Sequence, residues 1–325
     1  MRRTAPTLRR IIIGLFSLLA LAGTGHAQYP ARAVKILVPF PAGGAVDLVA
    51  RLLAQQLSAD LHGSFIVENK PGAGGIIATD LTAKSAPDGY TILLTTPNHT
   101  INAALRAKLP YDTEKDLAPI SMVAAIPELL VSSPSAPFDT FQGFVAYAKA
   151  HPGKLTYASA GNGTLPHVTM ELLLQRAGIQ VLHVPYRGAA PAMADLLAGH
   201  VQLKLDTVAT SMALVAAGKL HALAYADLQR TPLMPNVPTV AELGLPGYQG
   251  ILWLGLIAPA KTPPAIIDKL ADASRQAIKA PAMIERFQHD DIHAVGDTPS
   301  EFAAVIKKEI AQWREVGTAA HIELE

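Results

Sequence analysis

One unit recurs along this chain and limits its possible folds: an apolar run, a glycine-containing loop, then apolar residues at helical spacing. The first copy is "KILVPFPAGGAVDLVARLLAQQL", Lys35 to Leu57. Val34 to Phe40 is almost continuously apolar, as a parallel strand covered on both faces must be. Leu48, Val49, Leu52, Leu53 and Leu57 then follow on one helical stripe. A second strand, Ser64 to Glu68, leads through "NKPGAGG" into a helix over Ile76 to Ala83, and a third, Thr91 to Thr95, ends in "TPNHT". Further units begin at Leu155 to Ser159 (followed by "AGNGTLP" and a helix that Gly178 stops), at "VLHVPYRG" and at "VQLKLD", and the strand "LHALAYA" comes after them. Such alternation predicts an α/β protein with mostly parallel sheets flanked by helices. The proline-rich segment Thr231 to Pro246 is expected to be a covering loop with one short helix, and Pro299 to Arg314 a closing helix. The glycine loops near Pro41 and Gly161 echo one another, which implies two similar lobes face to face. The chain is expected to cross between lobes near Ala124 to Val131 and to return near Leu252 to Pro259.

With 325 residues, half of them hydrophobic, and a net charge of +1, the chain is long enough for two cores. Nucleic acid is excluded as a partner, since aromatics are 6% and the body of the chain has no Lys/Arg run. At the N-terminus, Arg2, Arg3, Arg9 and Arg10 precede 13 residues from Ile11 to Gly23 that form an apolar core. Gly25-His26-Ala27 then supplies small residues at the usual cleavage positions. Residues 1–27 therefore read as a secretory signal peptide cut after Ala27, since 13 residues are too few to span a bilayer. No cysteine is present, which removes a lipid anchor and a disulfide framework.

The first loop has the form of an anion cradle. Gly43 and Gly44 allow close backbone approach, and Asp47 sits in the first turn of the helix, where free N–H groups favour negative charge. The same residues also fit a tight strand-to-helix turn with Asp47 as cap. A nucleotide phosphate is disfavoured: there is no GxxxxGK[ST], and "GAGGII" has Ile77 where the last glycine of a dinucleotide fingerprint belongs. The second loop, "YASAGNGTLPHV", falls short of a hydrolase GxSxG because Tyr157 takes the first glycine's place. A triad of Ser159, His167 and Asp47 has no support from spacing, though an exported serine hydrolase stays as the rival reading. Thr164 or Asn162 is expected to cap the following helix, Pro166 lies in its first turn, and His167 is a possible donor to an anion. The eleven histidines are dispersed and HExxH is absent, so neither metal nor cofactor is expected. Asp206, at the end of a strand, is placed either to accept from a ligand or to cap the next helix.

Taken in order, "KILVPFPAGGAVDLVARLLAQQL", "VENKPGAGGIIA", "APDGYTILLT", "LPYDTEKDLAPIS", "HPGKLTYASAGNGTLPH", "HVPYRGAAPAMADLLAGHV", "AGKLHALAYADLQRTPLMPNVPTVAELGLPGY" and "LIAPAKTPPAIIDKL" resemble the Bug (Bordetella uptake gene), or TctC-like, substrate receptors of tripartite tricarboxylate transporters. The resemblance covers nearly all of the chain after the leader. It implies a two-lobed periplasmic-binding-protein-like fold of type II, with lobe one from 28–127 plus 254–325 and lobe two from 128–253. It implies a monomer that closes on a small organic acid, such as a di- or tricarboxylate, an acidic amino acid or an aromatic acid. Membrane transporter subunits are the implied partners; a sensor for a membrane signalling protein would look the same in sequence. By the same resemblance, one ligand carboxylate lies between two loops. The first runs through Phe40, Ala42, Gly43, Gly44, Ala45 and Asp47; the second through Ser159, Ala160, Gly161, Asn162, Gly163, Thr164 and His167. Thr96, Asn98 and Asp206 match positions that line the cleft. Where relatives carry Gly-Thr or Gly-Ser before the aspartate, this chain has Ala45-Val46, which removes a hydroxyl but leaves the backbone donors.

Overall fold

The computed structural model describes residues 29–320, 322 and 324, so the expected signal peptide lies outside the described residues. The first half of the chain alternates β1 (Val34–Val38), α1 (Ala45–Asp60), β2 (Phe65–Asn69), α2 (Ile76–Ala83), β3 (Thr91–Thr95), α3 (Asn98–Leu105) and β4 (Leu117–Ser132). Then come α4 (Phe141–Ala150), β5 (Thr156–Ser159), α5 (Leu165–Ala177), β6 (Leu182–Pro185), α6 (Ala189–Leu197), β7 (Leu203–Thr207), α7 (Val208–Ala216) and β8 (His221–Tyr225). The chain closes with β9 (Ile251–Pro259), α8 (Pro264–Ala277), α9 (Pro281–His289), β10 (His293–Ala294) and α10 (Pro299–Ala320).

Strand order is β2-β1-β3-β9-β4-β7-β5-β6, with β8 and β10 also paired to β4. The outer strands are parallel, β1 with β2 and β3, and β5 with β6 and β7. The antiparallel pairs are confined to β4 and β9, where the two lobes join. From Leu117 to Pro127, β4 pairs with β9; from Glu128 to Ser132 it pairs with β7. A single strand of 16 residues thus belongs to both lobes.

Each lobe is a sheet with helices on both faces, which explains the near-continuous apolar runs. In β1, Val34, Ile36 and Val38 face Val49, Leu53 and Leu57 of α1 and Leu270 of α8, while Leu37 joins Leu93, Ile257, Phe302 and Ile306 on the opposite face. In the second lobe, Tyr157, Leu203 and Leu205 pack with Phe144 and Leu173, and Ala158 lies on the other side with Ala192, Leu196 and Val208. Burial of each large aliphatic side chain contributes about 1.5–3 kcal/mol.

Two expectations require revision. The segment 231–246 is a chain of turns without the short helix. Pro232, Pro235, Pro238 and Pro246 remove the N–H donors a helix needs, and backbone bonds between Tyr225 and both Pro238 and Val240 fasten the segment to β8. The closing helix runs to Ala320, beyond Arg314, because Val316 packs against the second lobe's core and Gly317 lets the helix lie close against Leu105.

Candidate functional site

The two glycine loops end at the N-termini of α1 and α5, and both face a cleft between the lobes that encloses about 710 Å³, part of it open to solvent. At the first, Gly43 is left-handed (φ +92°) and Gly44 occupies the N-cap position in extended conformation. No side chain caps the helix there. Asp47 lies three residues further on and reaches back: its Oδ2 accepts from the Gly43 N–H at 3.1 Å and from Arg51 Nε at 2.9 Å. Its Oδ1 accepts from Arg51 Nη2 and Asn69 Nδ2, each at 2.9 Å, and Asn69 also donates to the Phe40 carbonyl. Burial alone would raise the Asp47 pKa, but the bonds from Arg51, Asn69 and Gly43 outweigh it and hold the carboxyl below its usual range. Asp47 is therefore a brace that shapes the loop, with its charge already met. The first N–H groups of α1, including those of Ala45 and Val46, have no acceptor inside the helix and carry its positive dipole end.

At the second loop, Gly161 (φ +135°) and Gly163 (φ +73°) turn the chain, Thr164 is the N-cap residue and Pro166 lies in the first turn. Thr164 Oγ1 donates to the Gly161 carbonyl at 2.7 Å, which fixes the loop without capping the helix N–H groups. One of those groups is already taken from the other lobe, because Leu165 N–H donates to Asn98 Oδ1 at 3.1 Å. Asn98 also donates to the Gly74 carbonyl at 3.2 Å, so it ties three segments together across the cleft.

Of the expected residues, Phe40, Ala42, Gly44, Ala45, Asp47, Asn98, Ala160, Thr164 and Asp206 line this cleft. Gly161 and Asn162 line an adjoining opening with Pro41, Gly74, Arg106 and Arg187. Gly43, Thr96, Ser159, Gly163 and His167 line neither opening: Gly43 is exposed at the loop, Thr96, Ser159 and Gly163 are buried, and His167 is half-buried. Ser159 is wholly buried, with Oγ 2.6 Å from His183 Nε2 and accepting from the Gly161 N–H. The histidine beside it is thus His183, and Asp47 is engaged with Arg51 on the opposite jaw, so the three residues of the rival triad do not meet. His167 Nδ1 accepts from the Gly163 N–H, and its ring stacks on His183 with centroids 4.2 Å apart.

Burial pushes His99 and His167 down to about 4; burial, with His167 next to it, pushes His183 down to about 3. These rings fold neutral, whereas in the unfolded chain they take a proton near 6.5. Between pH 6.5 and about 4 the unfolded state therefore binds more protons, and each ring subtracts stability as pH falls. His183→Phe, which keeps a ring in the stack, should lose less melting temperature than the parent on going from pH 6.5 to 4.5. Equal losses in thermal scans at the two values would contradict this.

Sequence reasoning did not single out the cleft floor, where Glu128 and Lys204 accompany Asp206. Lys204 Nζ, on β7, pairs with Asp206 Oδ1, and Asp206 Oδ2 accepts from Thr210 Oγ1 at 2.7 Å and Ser211 Oγ at 2.9 Å. Asp206 is thus an ion-pair partner bound to side-chain hydroxyls, and Thr207 holds the N-cap position of α7. Glu128 Oε2, on β4, accepts from Thr169 Oγ1 at 2.9 Å. Charged residues inside otherwise apolar runs, Glu128 alone in "IPELLV" and Lys204 two residues before Asp206 in "VQLKLD", were the available signal.

Two α/β lobes that direct two helix N-termini into one cleft, with a braced loop on each side, define a solute-binding protein. The chain belongs to the tripartite tricarboxylate transporter receptor family (TctC), whose model matches residues 49–321. It is 37% identical over 308 residues to protein BugT of Bordetella pertussis, covering 93% of this chain and 94% of BugT. Among solved structures it is similar to the periplasmic binding protein BugD, with a TM-score of 0.88, 33% identity and coverage of 91% and 100% of the two chains. It is likewise similar to R. palustris Rpa4515 with adipate, with a TM-score of 0.87, 32% identity and coverage of 91% and 99%. These relatives are solute-binding proteins, not enzymes.

Proposed function

We propose that this receptor is exported by its 1–27 leader, with cleavage after Ala27, and works in the periplasm as a monomer that captures a small organic carboxylate. The carboxylate is held between the loops Phe40–Asp47 and Ser159–His167 and then presented to the membrane subunits of a tripartite transporter. The observation that carries this reading is the convergence of the α1 and α5 N-termini on one cleft. The adipate in Rpa4515 supports the ligand class. Lobe one is 28–127 with 254–325 and lobe two 128–253, in keeping with the change of β4 partners at Pro127 and Glu128. Ligand binding favours the closed arrangement, in which Asn98 bridges the lobes, and the partner reads that form. Charge-assisted hydrogen bonds to backbone N–H groups are worth about 1.5–3 kcal/mol each, so three or four of them, less ordering costs, give affinity of micromolar order.

The test is a carboxylate screen by calorimetry and thermal shift on the purified mature protein. A true ligand at 100 times its Kd should stabilise the fold by about 2.7 kcal/mol and raise the melting temperature accordingly. No binder across aliphatic diacids, hydroxy acids, amino acids and aromatic acids would overturn the reading.

A further inference from the structure

We propose that Glu128 is the group that reads the far end of the ligand, and that it selects carboxylates bearing a protonated amine there over carboxylates bearing a second carboxylate. This rests on the cleft reading above and names the subclass of ligand. Glu128 lies on the shared strand β4, lines the cleft floor and is 98% buried, at 2% exposure. Among the described residues only its Oε2 is hydrogen-bonded, to Thr169; no bond is made to Oε1. The neighbouring Asp206 has both oxygens engaged by Lys204, Thr210 and Ser211, so it has less to offer a ligand.

Charge balance decides what fits. Burial, opposed by the Thr169 bond and Lys204 and aided by Asp206, pushes Glu128 up to about 7. The nearby phenol of Tyr248 donates to the Thr169 carbonyl at 2.9 Å, and burial, with Glu128 close by, keeps it neutral. With Glu128 protonated, the floor holds one cation, Lys204, and one anion, Asp206, and is neutral. A ligand ammonium beside Glu128 lets it ionise, giving two cations and two anions, again neutral. A second ligand carboxylate instead leaves one uncompensated anion in a desolvated site, which is strongly unfavourable. The first carboxylate is unaffected, because its positive field comes from the helix N-termini at the loops.

The experiment titrates the mature protein at pH 7 with straight-chain ω-amino acids of four to six carbons and with diacids of equal length. The best amino acid should bind at least tenfold more tightly than the best diacid. Its binding should release a fraction of a proton, measured from the heat in buffers of different ionisation enthalpy, because burial keeps part of the Glu128 population protonated at pH 7 and the ligand ammonium makes it ionise. Glu128→Gln, close in shape and able to keep a bond to Thr169, should abolish the release and reduce the preference below threefold. Diacids binding as well as or better than the amino acids would overturn the proposal. So would the absence of proton release, which needs no variant. If Gly161→Val abolishes such diacid binding, the cleft reading survives; if neither series binds, this proposal falls, and the cleft reading stands or falls on the wider carboxylate screen.

Discussion

Valine in place of Gly161 should abolish ligand binding and leave the protein folded. At φ +135°, Gly161 has a backbone conformation closed to β-branched residues. A Cβ there would also stand 3.3 Å from the Tyr186 carbonyl oxygen. The loop must therefore re-form, which breaks the 2.7 Å bond from Thr164 and moves the backbone N–H groups of the flanking Ala160 and Asn162, residues that line the two openings. Loss of two charge-assisted bonds corresponds to about 3–6 kcal/mol, a rise in Kd of at least a hundredfold. The loop lies outside both cores, so circular dichroism and a cooperative melt should persist. Gly153→Val is the control: Gly153 is also left-handed, at φ +70°, has open space around it and lines neither opening. It should lose some stability and keep its affinity. Undiminished binding by the Gly161 variant would remove this loop from the site.

The same loop shows what can be read in sequence. Glycines before an amphipathic helix announce a helix N-terminus, and the apolar alternation located β1, β3 and α2 closely, because both signals are local. Tertiary choices were not legible. Ser159 meets His183, 24 residues away on the neighbouring parallel strand, and not His167, because strand pairing sets Tyr157 beside His183. Asn98 joins two lobes through a bond between residues 67 positions apart, and no local pattern encodes that. The shared strand β4 is buried along nearly all of its length, and its one charged residue, Glu128, stands where its partners change, but a single charge in an apolar run does not say that the sheet neighbour changes there. The 231–246 segment misled because "TVAEL" has helical composition while the surrounding prolines and the bonds to β8 impose turns.

Removing Asp206 should cost more stability than removing it together with Lys204. Lys204 is 1% exposed and Asp206 6%, so neither charge is solvated, and the ammonium depends on the carboxylate. Asp206→Ala leaves a buried, uncompensated cation and takes the acceptor from Thr210 and Ser211. Breaking a buried pair in this way costs about 3–5 kcal/mol, a large share of the 5–15 kcal/mol that holds a typical domain together. In the double variant Lys204→Met with Asp206→Ala, an unbranched apolar chain fills the stem's place and no charge is left behind. Replacing both members of a buried pair by apolar groups is often close to neutral, so the double variant should recover all but about 1–2 kcal/mol, the remainder reflecting Ser211 and the lost volume. Urea unfolding midpoints of the parent, the single and the double variant decide the matter. If the double variant is as unstable as the single, Asp206 acts chiefly as the acceptor for Thr210 and Ser211, and Lys204 is not its dependent partner. If stability recovers but the preference for amine-bearing ligands is lost, the ion pair serves the cleft's charge balance more than its fold.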